Sequence, residues 1–253
     1  MKTLKMYLSL ILILVLIPSE FSGQDKNEQL WLCGEETVKP ALIDEYLAMS
    51  RELIEICKRE SFPFAFYTWS SKPFVYELWY PVSSLDAWTE IEKTWGKVVE
   101  KYGTEKYAAF NNTKVKNRSY AMIVRNDLQY IPENPDFKWD DVGVWYCKEY
   151  SLIPGKTVEF EEAVKWMNGQ AKAAGVGHFV LYGTGNVGYE DPLYVEMISA
   201  LDQEDFLKRM SALDVKMAPV LKEYNSKINQ LIREKREYYW WYLKDLSFNP
   251  AEK

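Results

Sequence analysis

Asp127-Leu128-Gln129-Tyr130-Ile131-Pro132 is echoed 118 positions on by Asp245-Leu246-Ser247-Phe248-Asn249-Pro250. Working back from each, Pro73-Phe74-Val75-Tyr76-Glu77-Leu78 matches Pro192-Leu193-Tyr194-Val195-Glu196-Met197 at an offset of 119. Trp31-Leu32-Cys33 matches Trp145-Tyr146-Cys147 at 114. The matches keep their order and their offsets drift by only a few residues. Two copies of one unit with unequal loops would give that pattern.

The copies also share an order of elements. Copy one reads as a strand over 29–35 and a helix over 41–59. That helix has Ile43, Tyr46, Leu47, Leu53, Ile54 and Cys57 at i, i+3, i+4 spacing. An aromatic strand over 62–69, a Ser70-Ser71-Lys72-Pro73 turn and a strand over 74–82 follow. A helix capped by Ser83 or Ser84 stops at Gly103, and a short helix over 105–111 leads to a strand over 119–130. Copy two repeats this with strands over 142–151, 177–183, 192–200 and 237–248, and helices over 158–173 and from Asp202 to about 235, kinked or restarted at Pro219. Each copy is β-α-β-β-α-β, the ferredoxin-like order, with both helices on one face of a four-stranded sheet. Phe64, Phe66, Tyr67 and Trp69 put large apolar groups on both faces of one strand, and Tyr239 to Tyr242 do so in another. Water would not be left against so wide an aromatic face. The expected fold is therefore α+β: two tandem ferredoxin-like repeats packing sheet to sheet as an intrachain α+β barrel.

Glu149-Tyr150-Ser151-Leu152-Ile153-Pro154-Gly155-Lys156, followed by Glu159-Phe160-Glu161, resembles the strand, Pro-Gly-Lys turn and acidic helix start of NIPSNAP-type domains. In copy one, Val38-Lys39-Pro40 is a weaker version. In element order, residues 29–250 resemble the dimeric α+β barrel superfamily, in which the two copies usually come from two subunits. The resemblance implies a fused pair. The superfamily includes cofactor-free monooxygenases of the antibiotic-biosynthesis type, haem-degrading oxygenases and chlorite dismutases, and the fold does not choose among them.

The chain divides into an expected signal peptide (1–23), repeat 1 (24–131), a linker (132–141), repeat 2 (142–250) and a tail (251–253). Lys2 and Lys5 precede an apolar run from Met6 to Ile17, too short to span a bilayer and followed by small residues Ser22 and Gly23. Secreted or periplasmic localisation follows, without stable membrane association after cleavage. The net charge of −6 argues against nucleic acid as a partner. The basic clusters at 114–118 and 233–236 are expected at helix ends, where they suit the dipole. The three cysteines permit a Cys33–Cys57 or Cys33–Cys147 bridge, or three buried thiols.

His178 is the only histidine, and Pro63 stands at the matching position of copy one. It is a candidate haem ligand or general base. Its surroundings match neither the axial histidine of chlorite dismutases nor the helical histidine of haem-degrading relatives. Glu77 and Glu196 stand at equivalent points of the third strands, and a carboxyl among Tyr76, Leu78 and Trp79 would have a raised pKa if buried. Pairing with a basic neighbour such as Arg125 is the plainer alternative. Tyr67 and Tyr182, at matching points of the second strands, are expected with Trp79 and Arg125 around a ligand. No metal motif or cofactor fingerprint is present in the sequence, and no cofactor is expected. The expected function is binding of a small apolar or aromatic molecule in a barrel pocket. The alternatives are a cofactor-independent or haem-dependent oxygenase, and a non-catalytic module that forms homo-oligomers.

Overall fold

The computed structural model describes residues 28–185, 187–188 and 192–251. The expected signal peptide lies outside them. Among the described residues the chain forms eight strands and five α-helices. The first half has β1 (Glu28–Val38), α1 (Ile43–Arg59), β2 (Tyr67–Lys72), β3 (Val75–Val82), α2 (Ala87–Tyr102), α3 (Thr104–Asn112) and β4 (Lys114–Arg125). The second has β5 (Val144–Leu152), α4 (Thr157–Ala173), β6 (Val180–Gly185), β7 (Leu193–Ala200), α5 (Gln203–Asn229) and β8 (Ile232–Tyr242). No described helix is long and apolar enough to cross a membrane.

The strands close a barrel in the order β1-β3-β2-β8-β5-β7-β6-β4, with every neighbouring pair antiparallel. The closed α+β barrel expected from sequence is present, and its two halves join edge to edge at two seams. One seam pairs Trp69 with Tyr242 and Ser70 with Trp241. The other pairs Met122, Ile123 and Val124 with Gly185, Thr184 and Gly183. Closure pairs backbone groups that stacked sheets would leave exposed along their edges. It also encloses a lumen, packed with Cys33, Trp79, Tyr120, Met122, Trp145, Cys147, Met197 and Trp240. On its outer face the barrel carries two further cores. One lies under α1, α2 and α3, the other under α4 and α5. Strands covered on both sides explain why β3 alternates between two apolar faces, Tyr76 and Tyr80 outward and Trp79 inward. Helix α1 buries Tyr46, Leu53, Ile54, Ile56 and Cys57 against the sheet, with an upper bound of roughly 1.5–3 kcal/mol for each large side chain.

Beyond β4 and β8 the chain leaves the sheet earlier than its alternation predicts, at Arg125 and Tyr242. Each tail crosses the seam and completes the other half. Leu128 and Tyr130 enter the second half's core. The Leu128 carbonyl accepts from Asn168 Nδ2 (2.6 Å), and Tyr130 pairs with Val180 through its backbone. Leu246 and Phe248 enter the first half's core, where Phe248 pairs with Phe66 and the Leu246 carbonyl accepts from Thr68 Oγ1. Asp127 meets Lys165 of α4 (3.2 Å) and Asp245 meets Arg51 of α1 (2.7 Å). The Asp-Leu-x-aromatic stretch that ends each half is thus an exchanged arm.

Two smaller expectations also change. The basic clusters begin strands β4 and β8 rather than ending helices. Helix α5 runs unbroken through Pro219. All three cysteines are free and buried. Cys33 faces the lumen while Cys57 lies in the helical core on the other side of the sheet, so that bridge is excluded by the pleat.

Candidate functional site

The strand registers decide which residues can share a site. Cys33 lies opposite Trp79 and Tyr120, and Cys147 lies opposite Met197 and Tyr238. Those frames put Trp79 in the place of Met197, so β3 and β7 correspond at an offset of 118 rather than 119. Glu77 then stands where Val195 does, and Glu196 where Leu78 does. A one-residue slip turns a side chain to the other face of a sheet. Glu77 points into the lumen and Glu196 points outward beneath the helices, so the expected pairing of these two acids is overturned. The same frame sets Tyr67 against Leu181 and Tyr182 against Thr68. The expected match of Tyr67 with Tyr182 is likewise corrected.

Glu77, Trp79 and Tyr67 do come together on the lumen face. Glu77 Oε2 accepts from Tyr120 Oη (2.6 Å) and Trp79 Nε1 (3.1 Å), and Oε1 accepts from Trp240 Nε1 (3.2 Å). Burial raises its pKa against the pull of these donors. Tyr67 and Trp79 both flank the Trp31 ring, at 5.9 and 6.5 Å. Both Glu77 oxygens are occupied and the lumen around them is filled with side chains. The arrangement ties β3, β4 and β8 together.

Glu196 and Tyr182 lie together on the outer face of the second half. Burial works against the Glu196 carboxylate, but Lys148 (3.2 Å) and Tyr150 Oη (2.7 Å), with Tyr182 adjacent, outweigh it and hold its pKa below the ordinary value. Tyr182 Oη is 3.4 Å from Tyr224 Oη. His178, just before β6, is buried; burial and then the Arg209 guanidinium push its pKa down to about 4. Arg125 is not the partner of Glu77. Its guanidinium holds Asp127 (2.8 Å) and Glu161 (2.7 Å), joining β4 to α4.

The cavity lies elsewhere. A space of about 190 Å³ opens between the outer face of the first half's sheet and helices α1, α2 and α3. Its floor is Gly34, Thr68 and Leu78, and none of the seven residues singled out from sequence lines it. At one end Lys114 Nζ (2.5 Å) and Tyr46 Oη (2.7 Å) both donate to Glu36. The Lys114 side chain is only 5 % exposed and its ammonium lies 4.0 Å from the Phe110 ring centroid, so the pair is held within the core. At the other end Trp95 Nε1 donates to Tyr80 Oη (3.0 Å) beside Phe66. Leu246, on the arm from the second half, completes the wall.

Register sets this space apart from the matching place in the second half. Gly34, Glu36, Thr68 and Leu78 occupy the places held by Lys148, Tyr150, Tyr182 and Glu196 in the second half. Lys148, Tyr150 and Tyr182 are larger than their counterparts, and with Glu196 they form the network just described. Sequence comparison at the corrected offsets would have exposed the contrast. Glu36 and Lys114 were missed because charges at strand ends read as solvated rim. Among the described residues no group of His, Cys, Asp and Glu side chains could hold a metal ion.

An eight-stranded antiparallel barrel flanked by helices defines the class of fold. No protein-family model matches the chain, and no curated protein matches it. Solved structures do. An anthrone oxidase-like protein is 11% identical, with a TM-score of 0.56 over 87% of this chain and 92% of its own. A candidate monooxygenase from Fusobacterium nucleatum subsp. nucleatum ATCC 25586 is 12% identical, with a TM-score of 0.54 over 87% and 94%. Another, from Lactobacillus acidophilus NCFM, is 11% identical, with a TM-score of 0.51 over 85% and 93%. At such identities the likeness is one of fold: the chain shares the α+β barrel fold of these structures.

Proposed function

We propose that this protein binds a small, largely apolar aromatic molecule in the cavity of its first half. The observation that carries the reading is a contrast between the halves: Gly34, Glu36 and Thr68 border the cavity at the registers where the second half has the larger Lys148, Tyr150 and Tyr182. An apolar cavity of about 150 Å³ suffices for benzene, so a space near 190 Å³ suits one or two rings. It is smaller than the roughly 300–1,000 Å³ usual for drug-sized ligands. The oxygenase alternative has the fold of its structural neighbours behind it and no residue of this chain. His178, the one candidate haem ligand, belongs to the half without the cavity.

Around this function we place two tandem ferredoxin-like units, over 24–131 and 142–250. The matching strand orders β4-β1-β3-β2 and β8-β5-β7-β6 support the duplication. The Pro-Gly-Lys turn opening α4 supports a kinship with NIPSNAP-type domains. The apolar leader supports export and cleavage before Gln24, which N-terminal sequencing of the exported protein would check.

Binding is tested by titrating naphthalene into the full chain and following tryptophan emission, since Trp95 lines the cavity. A Cβ on Gly34 meets nothing within 4 Å, so Gly34→Leu starts in open space and projects its side chain into the cavity. Saturable quenching in the wild type, abolished in Gly34→Leu, supports the reading. No binding to the wild type, or equal binding to both, defeats it.

A further inference from the structure

We propose that Tyr80 orients the ligand of this cavity, and that the ligand is a one- or two-ring arene with a hydrogen-bond-accepting oxygen, such as a ketone carbonyl, set against the Tyr80 hydroxyl. This rests on the cavity being a binding site. An indole N–H can only donate, so the 3.0 Å contact from Trp95 Nε1 makes the Tyr80 oxygen an acceptor. Its own hydrogen must point elsewhere, and among the described residues it meets no acceptor. Tyr80 is 7 % exposed and lines the cavity, so the group is shielded from bulk water at the cavity wall. Burial holds its pKa well above the ordinary phenol value, and the hydroxyl keeps its proton.

The surroundings leave the role to a ligand. The Phe66 ring lies 5.5 Å from Tyr80 and 5.8 Å from Trp95, so this end is an aromatic slot. The polar groups of the far end are engaged with one another, Lys114 and Tyr46 on Glu36. Position 36 lies opposite Tyr76, four residues from Tyr80 along β3, or about 13 Å. Between them lies the low floor of Gly34, Thr68 and Leu78, wide enough for flat rings. A ligand bringing an acceptor to Tyr80 satisfies a buried donor; a hydrocarbon of the same shape leaves it unmet, and sites of this kind discriminate strongly.

The test uses two probes of one shape, 2-acetylnaphthalene and 2-isopropenylnaphthalene, with the full chain and Tyr80→Phe, which keeps the ring and removes the hydroxyl. The substitution should weaken the ketone about tenfold and leave the hydrocarbon within about twofold. A ketone affinity that does not change, or two affinities that fall together, overturns the assignment while leaving the cavity a binding site. Failure of both probes to bind the wild type overturns both readings. The infrared carbonyl band of 2-acetylnaphthalene bound to the wild type gives a second readout independent of the variant's folding. A band below its position in hexane is expected, and a band at the hexane position overturns the assignment.

Discussion

Trp240 Nε1 donates to Glu77 Oε1 at 3.2 Å, so a carboxyl from the first half and an indole from the second meet inside the barrel. Tyr120, Trp79 and the Cys33 thiol (3.9 Å) also donate to the same carboxyl. An amide in its place offers one oxygen where the carboxyl offers two, and sets its NH₂ against the donors left over. Glu77→Gln should cost about 1–3 kcal/mol, the penalty of a buried donor left without its acceptor. Trp240→Phe should cost less alone, and the double variant should show a coupling of roughly 0.5–3 kcal/mol in urea unfolding. Strict additivity would show that the contact carries no energy.

Gly34 gives a prediction of opposite sign. Glycine in a strand interior is destabilising by roughly 0.5–1 kcal/mol, and here the space beside it is empty. Gly34→Leu should raise the midpoint of urea unfolding while removing arene binding. A stability gain with loss of function is what a cavity kept open for a ligand would produce. A variant less stable than wild type would contradict the open floor.

Much of this fold was legible. Helical spacing in α1 and aromatic strands such as β2 and β8 survive in any register, and the order of elements follows from them. The register between copies was not legible, because letters align by identity while side chains align by hydrogen bonding. Pro73 and Pro192 draw Glu77 onto Glu196, yet β2 and β3 join through a short turn with a bulge near Ser70, while Gly185 and Leu193 are further apart in sequence. One residue of slip moved an acid from the lumen to the helical face. The arms were hidden for a related reason: Tyr130 and Phe248 continue the alternation of the strands before them, and only the crossing of the seam ends the sheet. The cavity was hidden because part of its floor is made by small residues, and Gly34 and Thr68 carry no signal without their counterparts Lys148 and Tyr182.

His178 sets an acid limb. Its folded pKa is near 4, against about 6.5 for a free imidazole, so the folded state binds fewer protons than the unfolded chain between those values. The stability it contributes is complete above pH 6.5 and is lost as pH falls toward 4, to an extent of about 3 kcal/mol. His178→Gln should flatten that part of the stability profile, measured by urea unfolding from pH 7 to 4. An unchanged profile would place the acid sensitivity in other groups. The Arg209 ion pairs with Asp136 and Asp205, beside His178, are the first to examine.

Phe248 tests the exchanged arm. The residue belongs to the second half in sequence and to the first half's core in space, against the rings of Phe62 and Phe66. Phe248→Ala should cost about 3–5 kcal/mol, as for other large aromatic truncations in a core. Because Leu246 on the same arm walls the cavity, the loss should reach the site as well as the stability. Hydrogen exchange would locate it: amides of α1, which packs against the arm, should lose protection in Phe248→Ala while those of α4, whose Asn168 is tied to Leu128 on the other arm, keep theirs. Equal loss in both helices would mean that the two halves unfold only as one unit and that the arm carries no local stability of its own.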